Sequence, residues 1–567
     1  MRRSTAWVIF TIVLAILAVT FLLPLGMVIS GAFFENGRPT GKYLLGVFQN
    51  PIYVEGLRNS LGIAVGTTTL VTLIAVPLAW MGNRFDFAGK GTFQGLLLVP
   101  MILPPFVGAI GFQQMFGVYG TVNSMLGIEY DWIGQARYWG VILLQALGLY
   151  PIMYLNVAAA LANIDPAMEQ AAENLGCTGF AKFRKITLPL IMPGLFAGGT
   201  IVFIWSFTEL GTPLIMNYTR AAPVQVFDAL KEIGSSAFPY ALVFVMLSAS
   251  VGLYLVSKLL FGRQAYAMQS KAATASAAVP ARGAAKIVVP GLFALVTLVA
   301  LLPHMGVILT SLSVPGSWYQ SILPREFTVG NYVEALGHSM TVSSIRNSLL
   351  YSALAVLFNA VIGISVAFVV VRSDLRVRHV LDAMSMMPLA VPGLVMAFGY
   401  LAISSYMSRQ GWVKDSAFWK SLFDVQTNPM LFLVVAYAVR RLPYMVRSAV
   451  AGLQQTSETL EEAAANLGAG GLTVVRRITV PLITANLIAG AMLAFAFSML
   501  EVSDSLMLAQ RADWYPITKT IYELFQLIGT GKYLASALGV WAMVFLAVTI
   551  LGANVILGKK MGAIFRV

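Results

Sequence analysis

Twelve long apolar runs, separated by short polar segments, set the pattern of this chain. Each run contains roughly the 20 apolar residues that a helix needs to cross the hydrocarbon core of a bilayer. The pattern predicts an all-α polytopic membrane protein, because helices satisfy their own backbone hydrogen bonds in lipid. The predicted spans lie at about 7–33, 60–82, 93–118, 139–163, 190–216, 240–261, 287–312, 348–371, 381–406, 429–451, 484–509 and 536–558.

The composition supports this class. Of the 567 residues, 58% are hydrophobic and 11% are charged, whereas a soluble domain carries about 25% charged residues. The net charge of +13 does not indicate nucleic-acid binding, because no polar domain is long enough to carry a basic patch.

The basic residues cluster in the short segments between the apolar runs, as they do in the cytoplasmic loops of membrane proteins. With six helices in each half, this bias predicts a membrane protein with both termini in the cytoplasm. The clusters are Arg2 and Arg3; Arg84 and Lys90; Lys182, Arg184 and Lys185; Arg263, Lys271, Arg282 and Lys286; Arg372, Arg376 and Arg378; Arg476 and Arg477; Lys559, Lys560 and Arg566.

The two halves of the chain repeat each other. Between 171–190 and 463–482, 11 of 20 positions are identical at an offset of 292. Earlier segments, such as 58–61 and 346–349, repeat at an offset of 288, so the second half gains four residues between its third and fourth helices. We expect that insertion in a periplasmic loop at about 407–428, because surface loops tolerate insertions.

The repeat predicts two parallel six-helix domains, related by an axis near the membrane normal. The first repeat is 1–261 and the second is 287–567. Residues 262–286, which are rich in Ala and Ser, are predicted to be a flexible cytoplasmic linker.

The most similar segments, 165–190 and 457–482, are polar and basic, and each predicts two short helices separated by a break. We call them the first elbow and the second elbow. Asp165 and Ser457 are predicted N-caps, and Gly176 and Gly468 are predicted to end the first helix. In the first elbow the second helix is expected at about 179–186.

Each elbow carries two apolar residues at i and i+3 with cations beside them. The pairs are Phe180 with Phe183, and Leu472 with Val475. This pattern is typical of a helix that binds a groove in a soluble partner. The alternative, a helix lying on the lipid surface, does not require the same spacing from glycine to isoleucine in both copies.

The elbows resemble the EAA loop of permeases in ATP-binding-cassette (ABC) importers of the type I fold. That pattern is Glu-Ala-Ala, three residues, Gly, nine residues, Ile, one residue and Leu-Pro. The second elbow matches it with Glu462-Ala-Ala464, Gly468, Ile478 and Pro481, and has Val480 in place of Leu. The first matches with Gly176, Ile186, Leu188 and Pro189, and has Gln170 in place of Glu.

The resemblance, which covers nearly the whole chain, implies a permease subunit in a bacterial cytoplasmic (inner) membrane. Its elbows would bind two cytoplasmic ABC ATPase subunits, and a periplasmic binding protein would deliver the substrate. ATP and Mg would be bound by the ATPases and no cofactor by this chain, and no nucleic-acid partner is expected. The residues implied in coupling are Glu169, Ala171, Ala172, Gly176, Phe180 and Phe183 in the first elbow, and Glu461, Glu462, Ala463, Ala464, Gly468, Leu472 and Val475 in the second.

The sequence has no motif that predicts an enzyme. It lacks the phosphate-binding pattern G-x-x-x-x-G-K-[ST] and the zinc pattern H-E-x-x-H. Its three histidines, His304, His338 and His379, are scattered. We therefore predict a transport subunit with no catalytic residues and no metal ligands.

Several charged residues fall within predicted spans, where an unpaired charge costs several kcal/mol. Glu209 and Glu501 end matched Phe-x-x-Ser-x-x-Glu segments, and Asp504 follows the second. Arg440 and Arg441 have Gly148 and Leu149 as their first-half counterparts. These five charged residues are either contacts along a substrate pathway or structural ion pairs.

The cargo is left open. Fused permeases of this layout resemble those for ferric iron and for organophosphonates such as 2-aminoethylphosphonate, and then those for thiamine and polyamines. Arg440, Arg441 and Arg447 in one helix favour an anion, whereas carboxylates near the outer mouth favour a cation.

Two other classes of protein remain open. One is a secondary transporter with two parallel six-helix halves, which would not need the elbows, and the other is a channel or scaffold.

Overall fold

The architecture comes from a computed structural model, which describes residues 3–35, 37–101, 105–134, 137–232, 236–269 and 278–557. The predicted all-α class is confirmed: the strands assigned in this part of the chain have two residues each. Pro104 and the basic residues Arg2, Lys271, Lys559, Lys560 and Arg566 lie outside the described residues.

The first half contains fourteen α-helices: α1 Arg3–Leu17, α2 Leu23–Phe33, α3 Lys42–Gln49, α4 Pro51–Arg84, α5 Lys90–Leu96, α6 Pro105–Phe116, α7 Thr121–Leu126, α8 Arg137–Ala162, α9 Pro166–Asn174, α10 Gly179–Lys182, α11 Leu188–Thr208, α12 Gly211–Ile215, α13 Ala222–Asp228 and α14 Phe238–Gln269.

The second half contains another fourteen: α15 Ala285–Leu312, α16 Gly330–Gly337, α17 Thr341–Arg372, α18 Arg378–Met386, α19 Gly393–Met407, α20 Gly411–Lys414, α21 Ala417–Phe423, α22 Met430–Gln455, α23 Thr459–Asn466, α24 Gly471–Val474, α25 Val480–Met499, α26 Ser503–Leu508, α27 Ile517–Phe525 and α28 Gly531–Leu557.

The described residues also contain π-helical turns, 3₁₀ turns and short strands. Single π-helical turns occur at Ala18–Leu22, Phe183–Thr187 and Val475–Thr479, and 3₁₀ turns at Val99–Met101, Ala229–Glu232, Met387–Leu389 and Ala512–Trp514. Strand β1 (Phe34–Glu35) pairs antiparallel with β2 (Arg38–Pro39), and β3 (Phe85–Asp86) pairs parallel with β4 (Val279–Pro280).

Among the described residues, nine helical segments are long and apolar enough to cross a membrane, and up to eleven if each of two bent pairs is one span. The tenth predicted span, 429–451, corresponds to α22, which is not among them. The nine are Ser4–Phe33, Pro51–Arg84, Arg137–Ala162, Gly179–Ile215, Phe238–Ser257, Ala285–Leu312, Thr341–Arg372, Gly471–Met499 and Gly531–Thr549.

The third and ninth predicted spans are not continuous helices. In the ninth, the helical segments Arg378–Leu389 and Gly393–Met407 meet at an angle of 100°. Pro388 lies in the 3₁₀ turn before the break, and Pro392 precedes α19 with extended backbone. Proline cannot donate the backbone bond that would continue the helix. The chain therefore bends sharply at these prolines.

The first helix of each half packs against the opposite half. Helix α2 lies against α19, and α15 lies against α6. Equivalent glycines, 288 positions apart, mark both crossings. A Cβ on Gly399 would lie 2.6 Å from the Pro24 carbonyl oxygen, and one on Gly111 would overlap the Pro303 carbonyl. Backbones this close require glycine, so the two halves are interlocked.

The segment between the halves is partly ordered. Helix α14 continues to Gln269, eight residues beyond the predicted end of the first repeat at 261. Residues 270–277 of the predicted linker lie outside the described residues. Strand β4 then pairs with β3, and Ala281 N donates to Asp86 O at 2.9 Å. This end of the linker is held against the end of α4.

The inserted loop and two polar residues also have defined positions. The insertion predicted at about 407–428 forms the short helices α20 and α21. Asn59 Nδ2 donates to Arg220 O at 2.9 Å, and its counterpart Asn347 Nδ2 donates to Asp513 O at 2.9 Å. These two asparagines fasten equivalent loops in the two halves.

Candidate functional site

The two elbows have the predicted form of helix, break and helix. In the first, Asp165 Oδ1 accepts from Ala167 N at 2.9 Å at the start of α9. In the second, Ser457 Oγ accepts from Thr459 N at 3.3 Å, although Glu458 occupies the N-cap position of α23. In the first elbow the second helix does not end at about 186 as predicted, because four α-helical residues and a π-helical turn lead directly into α11. The second elbow leads into α25 in the same way.

Gly176 and Gly468 make the break in each elbow. Their φ angles are +79° and +87°, which L side chains rarely adopt, and the hydrogen bonds around them are equivalent. Cys177 N donates to Ala172 O at 2.9 Å, and Ala469 N donates to Ala464 O at 3.0 Å. This is the pattern of a helix ended by a left-handed glycine, so the turn has the same geometry in both elbows.

A glutamate inside each elbow holds its two arms together. Glu169 Oε1 accepts from Thr187 Oγ1 at 3.0 Å, and Glu461 Oε1 accepts from Thr479 Oγ1 at 3.1 Å. Both threonines are buried at the end of a π-helical turn. The structure thus places these two glutamates inside the elbow, whereas Glu462 and its counterpart Gln170 are exposed.

The cation that completes each elbow differs. In the first elbow, Lys182 Nζ lies 2.7 Å from Glu173 Oε1 and 3.4 Å from Glu169 Oε2. The hydrogen bond from Lys182 holds the pKa of Glu173 below its usual range. The counterpart of Lys182 in the second elbow is the buried Val474.

In the second elbow the cation comes from a membrane helix instead. Arg372, at the end of α17, places Nε 3.3 Å from Glu461 Oε2 and Nη1 3.4 Å from Glu458 Oε1. Its Nη2 donates to Thr456 O at 3.0 Å. Its counterpart Arg84, at the end of α4, lies over the Trp80 and Phe85 rings.

The apolar surface of the elbows differs from the predicted one. Phe180 and Leu472 are 76% and 83% exposed, as expected. Phe183 is partly buried and contacts the Trp80 ring edge-to-face at 5.8 Å between centroids, and Val475 packs against a buried apolar cluster. Phe183 and Val475 therefore offer a partner less apolar surface than Phe180 and Leu472 do.

Two exposed leucines were missed by the sequence prediction. Leu175 and Leu467 are 87% and 89% exposed, each directly before the glycine that ends its helix. The repeated Asn-Leu-Gly was the available signal, because an apolar residue kept at a helix end in both copies needs a partner. Ala171 and Ala463 are exposed beside them, whereas Ala172 and Ala464 are buried inside the elbow.

A second candidate site is a cavity between the two halves, of about 160 Å³. Residues from α8 and α11 line one side, and residues from α22, α25 and the bend between α18 and α19 line the other. Four of the five predicted pathway charges line it, namely Glu209, Arg440, Arg441 and Glu501. Gly148 and Leu149, the counterparts of the two arginines, line the same cavity.

The charges of the second half neutralise one another. Arg440 and Arg441 both form ion pairs with Glu501. Arg440 Nη1 also lies 3.3 Å from Asp504 Oδ2, and Arg441 Nη2 donates to Phe497 O at 3.1 Å. Asp504, the fifth predicted charge, is buried behind Arg440. Buried charges that pair in this way avoid much of the cost of leaving water.

Glu209 occupies the equivalent position in the first half without such a partner. Its Oε1 accepts from Thr212 N at 3.2 Å and lies 3.4 Å from Thr212 Oγ1. Among the described residues, no cation lies within 4 Å of its carboxylate. The pseudo-symmetric cavity is thus asymmetric in charge.

Gln145 is a further polar residue of the cavity that the sequence prediction missed. It is buried on α8, and its Oε1 accepts from Ser206 Oγ. Its Nε2 has no hydrogen-bond partner among the described residues. A lone polar residue within the apolar run 141–149 was the signal. Among all the residues that the structure describes, no group of three or more His, Cys, Asp or Glu side chains could hold a metal ion.

The interlocked repeats, the paired elbows and the cavity between the halves define a membrane protein of the transport type. The chain belongs to the family described as "Binding-protein-dependent transport system inner membrane component", whose model matches residues 72–265 and 359–561. The two matches cover more than half of the chain and fall one in each repeat.

Similar proteins include the ferric transport system permease protein FbpB of Actinobacillus pleuropneumoniae, 25% identical over 81% of this chain and 64% of that protein. A putative ferric transport system permease protein, FbpB 1 of Haemophilus influenzae, is 24% identical over 82% of this chain and 70% of its own length. The molybdenum transport system permease protein ModB of Escherichia coli is 29% identical over 35% of this chain and 90% of its own length. This last match shows that about one third of the chain corresponds to nearly a whole relative.

Proposed function

We propose that this chain is the permease subunit of an ATP-driven, binding-protein-dependent importer in a bacterial inner membrane, with both elbows and both termini on the cytoplasmic side. Each elbow would bind one copy of a cytoplasmic ABC ATPase. ATP and Mg²⁺ would be bound by those partners, and a periplasmic binding protein would deliver the cargo. The observation that carries the proposal is the matched pair of elbows.

The exposed residues of the elbows support docking of a protein. Leu175 and Phe180 on one elbow, and Leu467 and Leu472 on the other, are each more than three-quarters exposed. Burying one such side chain in a groove stabilises a complex by roughly 1.5–3 kcal/mol. The internal contacts of Glu169 and Glu461 hold each elbow in shape, so little ordering would be required on binding.

The mechanism would be a switch of the two halves between inward-facing and outward-facing states. ATP would draw the two ATPases together and bring the elbows with them. The first elbow continues directly into α11 and the second into α25, both of which line the cavity. Movement of the elbows would therefore act on the cavity walls.

For the cargo, we propose ferric iron. The two relatives described as ferric transport permeases align with about four-fifths of this chain. An anionic cargo such as an organophosphonate is less well supported, because the arginines that favoured it are paired. Arg440 and Arg441 bind Glu501, and Arg447 Nη1 lies 3.6 Å from Asp382 Oδ1.

Alanine variants of the exposed residues test the docking surface. We expect Phe180→Ala or Leu472→Ala to weaken capture of the ATPase by roughly tenfold, the effect of losing about 1.4 kcal/mol. The double variant should abolish capture from detergent-solubilised membranes. Leu357→Ala, which removes an exposed apolar side chain from α17, is the matched control and should leave capture unchanged.

The outcomes separate the proposal from the secondary transporter. If no ATPase accompanies the wild-type chain, and uptake follows an ion gradient without ATP, the importer proposal is wrong. If an ATPase is captured equally by the wild type and the double variant, the importer stands but the docking surface lies elsewhere.

A further inference from the structure

We propose that Glu209 is the residue of the interhalf cavity that contacts a positively charged cargo as it passes between the halves. The proposal rests on the proposed importer function and names the class of ligand, a hard, multiply charged cation. It assigns the cavity a transient binding site in which the cargo supplies the positive charge that the first half lacks.

The repeat of the chain supplies the first argument. Glu209 and Glu501 are equivalent positions, and both line the cavity. Glu501 is neutralised by two arginines. At the positions equivalent to those arginines the first half has Gly148 and Leu149, which also line the cavity. The cavity thus has a carboxylate from each half, but only Glu501 has arginines beside it.

The charge balance supplies the second argument. The two guanidinium groups of Arg440 and Arg441 are matched by the carboxylates of Glu501 and Asp504. Glu209 has hydrogen bonds from Thr212 and no cation within 4 Å in the described part of the chain. A carboxylate withdrawn from water without a counter-ion is costly. A cation that enters the cavity would remove that cost.

The cavity also suits a cation that keeps part of its own oxygen shell. Hard cations prefer carboxylate and water oxygens. Gln145 lines the cavity beside α11, and its Nε2 lacks a hydrogen-bond partner among the described residues. This amide can donate to a water or hydroxide that the cation carries. One carboxylate binds weakly, which is the requirement for a site from which the cargo must leave.

The main experiment measures ATP-dependent uptake of Fe³⁺ into proteoliposomes that contain the full chain, its ATPase and its binding protein. We expect Glu209→Gln, which keeps the shape of the side chain, to lower uptake by about tenfold or more. Glu209→Asp should retain a substantial part. Glu334→Gln, which neutralises an exposed carboxylate on α16, is the control and should behave as the wild type.

A second measurement observes the site without transport. Tb³⁺, also a hard trivalent cation, emits when a nearby excited tryptophan transfers energy to it. Trp205 lines the cavity in the last turn of α11, the helix that ends directly before Glu209. Tryptophan-sensitised emission from the solubilised chain should fall in Glu209→Gln and in Trp205→Phe, but not in Glu334→Gln.

The results distinguish the two proposals. If the wild type takes up Fe³⁺ and Glu209→Gln takes it up equally well, while its Tb³⁺ emission is also unchanged, the assignment of Glu209 is wrong. If the wild type takes up no Fe³⁺ but Tb³⁺ emission still depends on Glu209, the cation site stands and the ferric cargo is wrong. Capture of the ATPase by Glu209→Gln shows that the variant is folded.

Discussion

Single side chains hold the two elbows in shape by different means. The glutamate contact to a buried threonine is the same in both. In the first elbow this glutamate also forms an ion pair with Lys182 of the same elbow, whereas in the second it forms one with Arg372 at the end of α17. The carboxylates therefore differ in how much water reaches them: Glu461 is 17% exposed, and Glu169 and Glu173 are 31% and 46% exposed.

This difference predicts unequal effects of removing the two cations. Lys182→Met should destabilise the first elbow less than Arg372→Met destabilises the second, because water can solvate both carboxylates of the first elbow. Arg372→Met should destabilise the second by about 1–3 kcal/mol, because Glu461 and the Thr456 carbonyl lose a partner while partly buried. Hydrogen exchange of the backbone amides of α9 and α23 measures both values.

Each variant controls for the other, because the elbows share the same fold. A larger loss of protection in α9 than in α23 would show that exposure of the carboxylates does not decide the outcome. Equal losses would show that Arg372 acts only as a surface charge.

The sequence was a good guide to which residues are equivalent and a poor guide to where their side chains point. The offset of 292 located both elbows and both glycine breaks. It did not show that Phe183 and Val475 are partly buried, because their burial depends on contacts with residues far away in the sequence. The partner of Phe183 is Trp80 on α4, which no local pattern indicates.

Among the helices, the reciprocal packing of α2 on α19 and of α15 on α6 is the main feature that the hydrophobic pattern did not predict. Repeats identify equivalent helices, but they do not say which half a helix packs against. Tyr400 adds to one crossing, since its hydroxyl donates to Thr20 O at 2.7 Å, in the π-helical turn before α2. Helix boundaries were predicted unevenly: span 429–451 is α22, Met430–Gln455, whereas span 60–82 is the longer α4, Pro51–Arg84.

At the α2–α19 and α6–α15 crossings, even replacing glycine by alanine is predicted to cause a steric clash. Gly111→Ala and Gly399→Ala should each destabilise the protein by about 1–3 kcal/mol, because the added methyl meets backbone atoms that cannot move aside easily. The midpoint of thermal unfolding in detergent measures this. Gly26→Ala on α2 is the control: its Cβ would meet no atom within 4 Å.

Gly26→Ala should leave the midpoint unchanged or raise it, since alanine favours helix over glycine. Full stability of Gly111→Ala would mean that α6 and α15 are not in close contact, and the interlocked arrangement would then need revision.

In the whole molecule, the packing between the interlocked halves contributes more to holding them together than the linker peptide does. Each half contributes its first helix to the other, and the described end of the linker adds one short parallel strand pair. The repeat predicted two sequential domains, and the structure adds that each is completed by the other.

This arrangement predicts that a chain divided within residues 270–277 will reassemble. The two pieces, expressed together, should co-purify through a tag on one of them, whereas each piece alone should be degraded or aggregate, since it exposes the surface that received the missing helix. A break inside α8, after Gly148, is the control and should not be rescued by co-expression. Stable, separate pieces with no affinity would contradict the interlocked fold.

Because the two repeats are parts of one polypeptide, equivalent positions of the cavity can carry different residues. A dimer of identical halves would present every cavity residue twice, with either two arginine pairs or none, so its internal charge could change only in even steps. Here Arg440 and Arg441 face Gly148 and Leu149, and one glutamate is matched while the other is not. A single substitution in one repeat can therefore alter the charge of the passage by one, and so adjust which ions cross without changing the opposite wall.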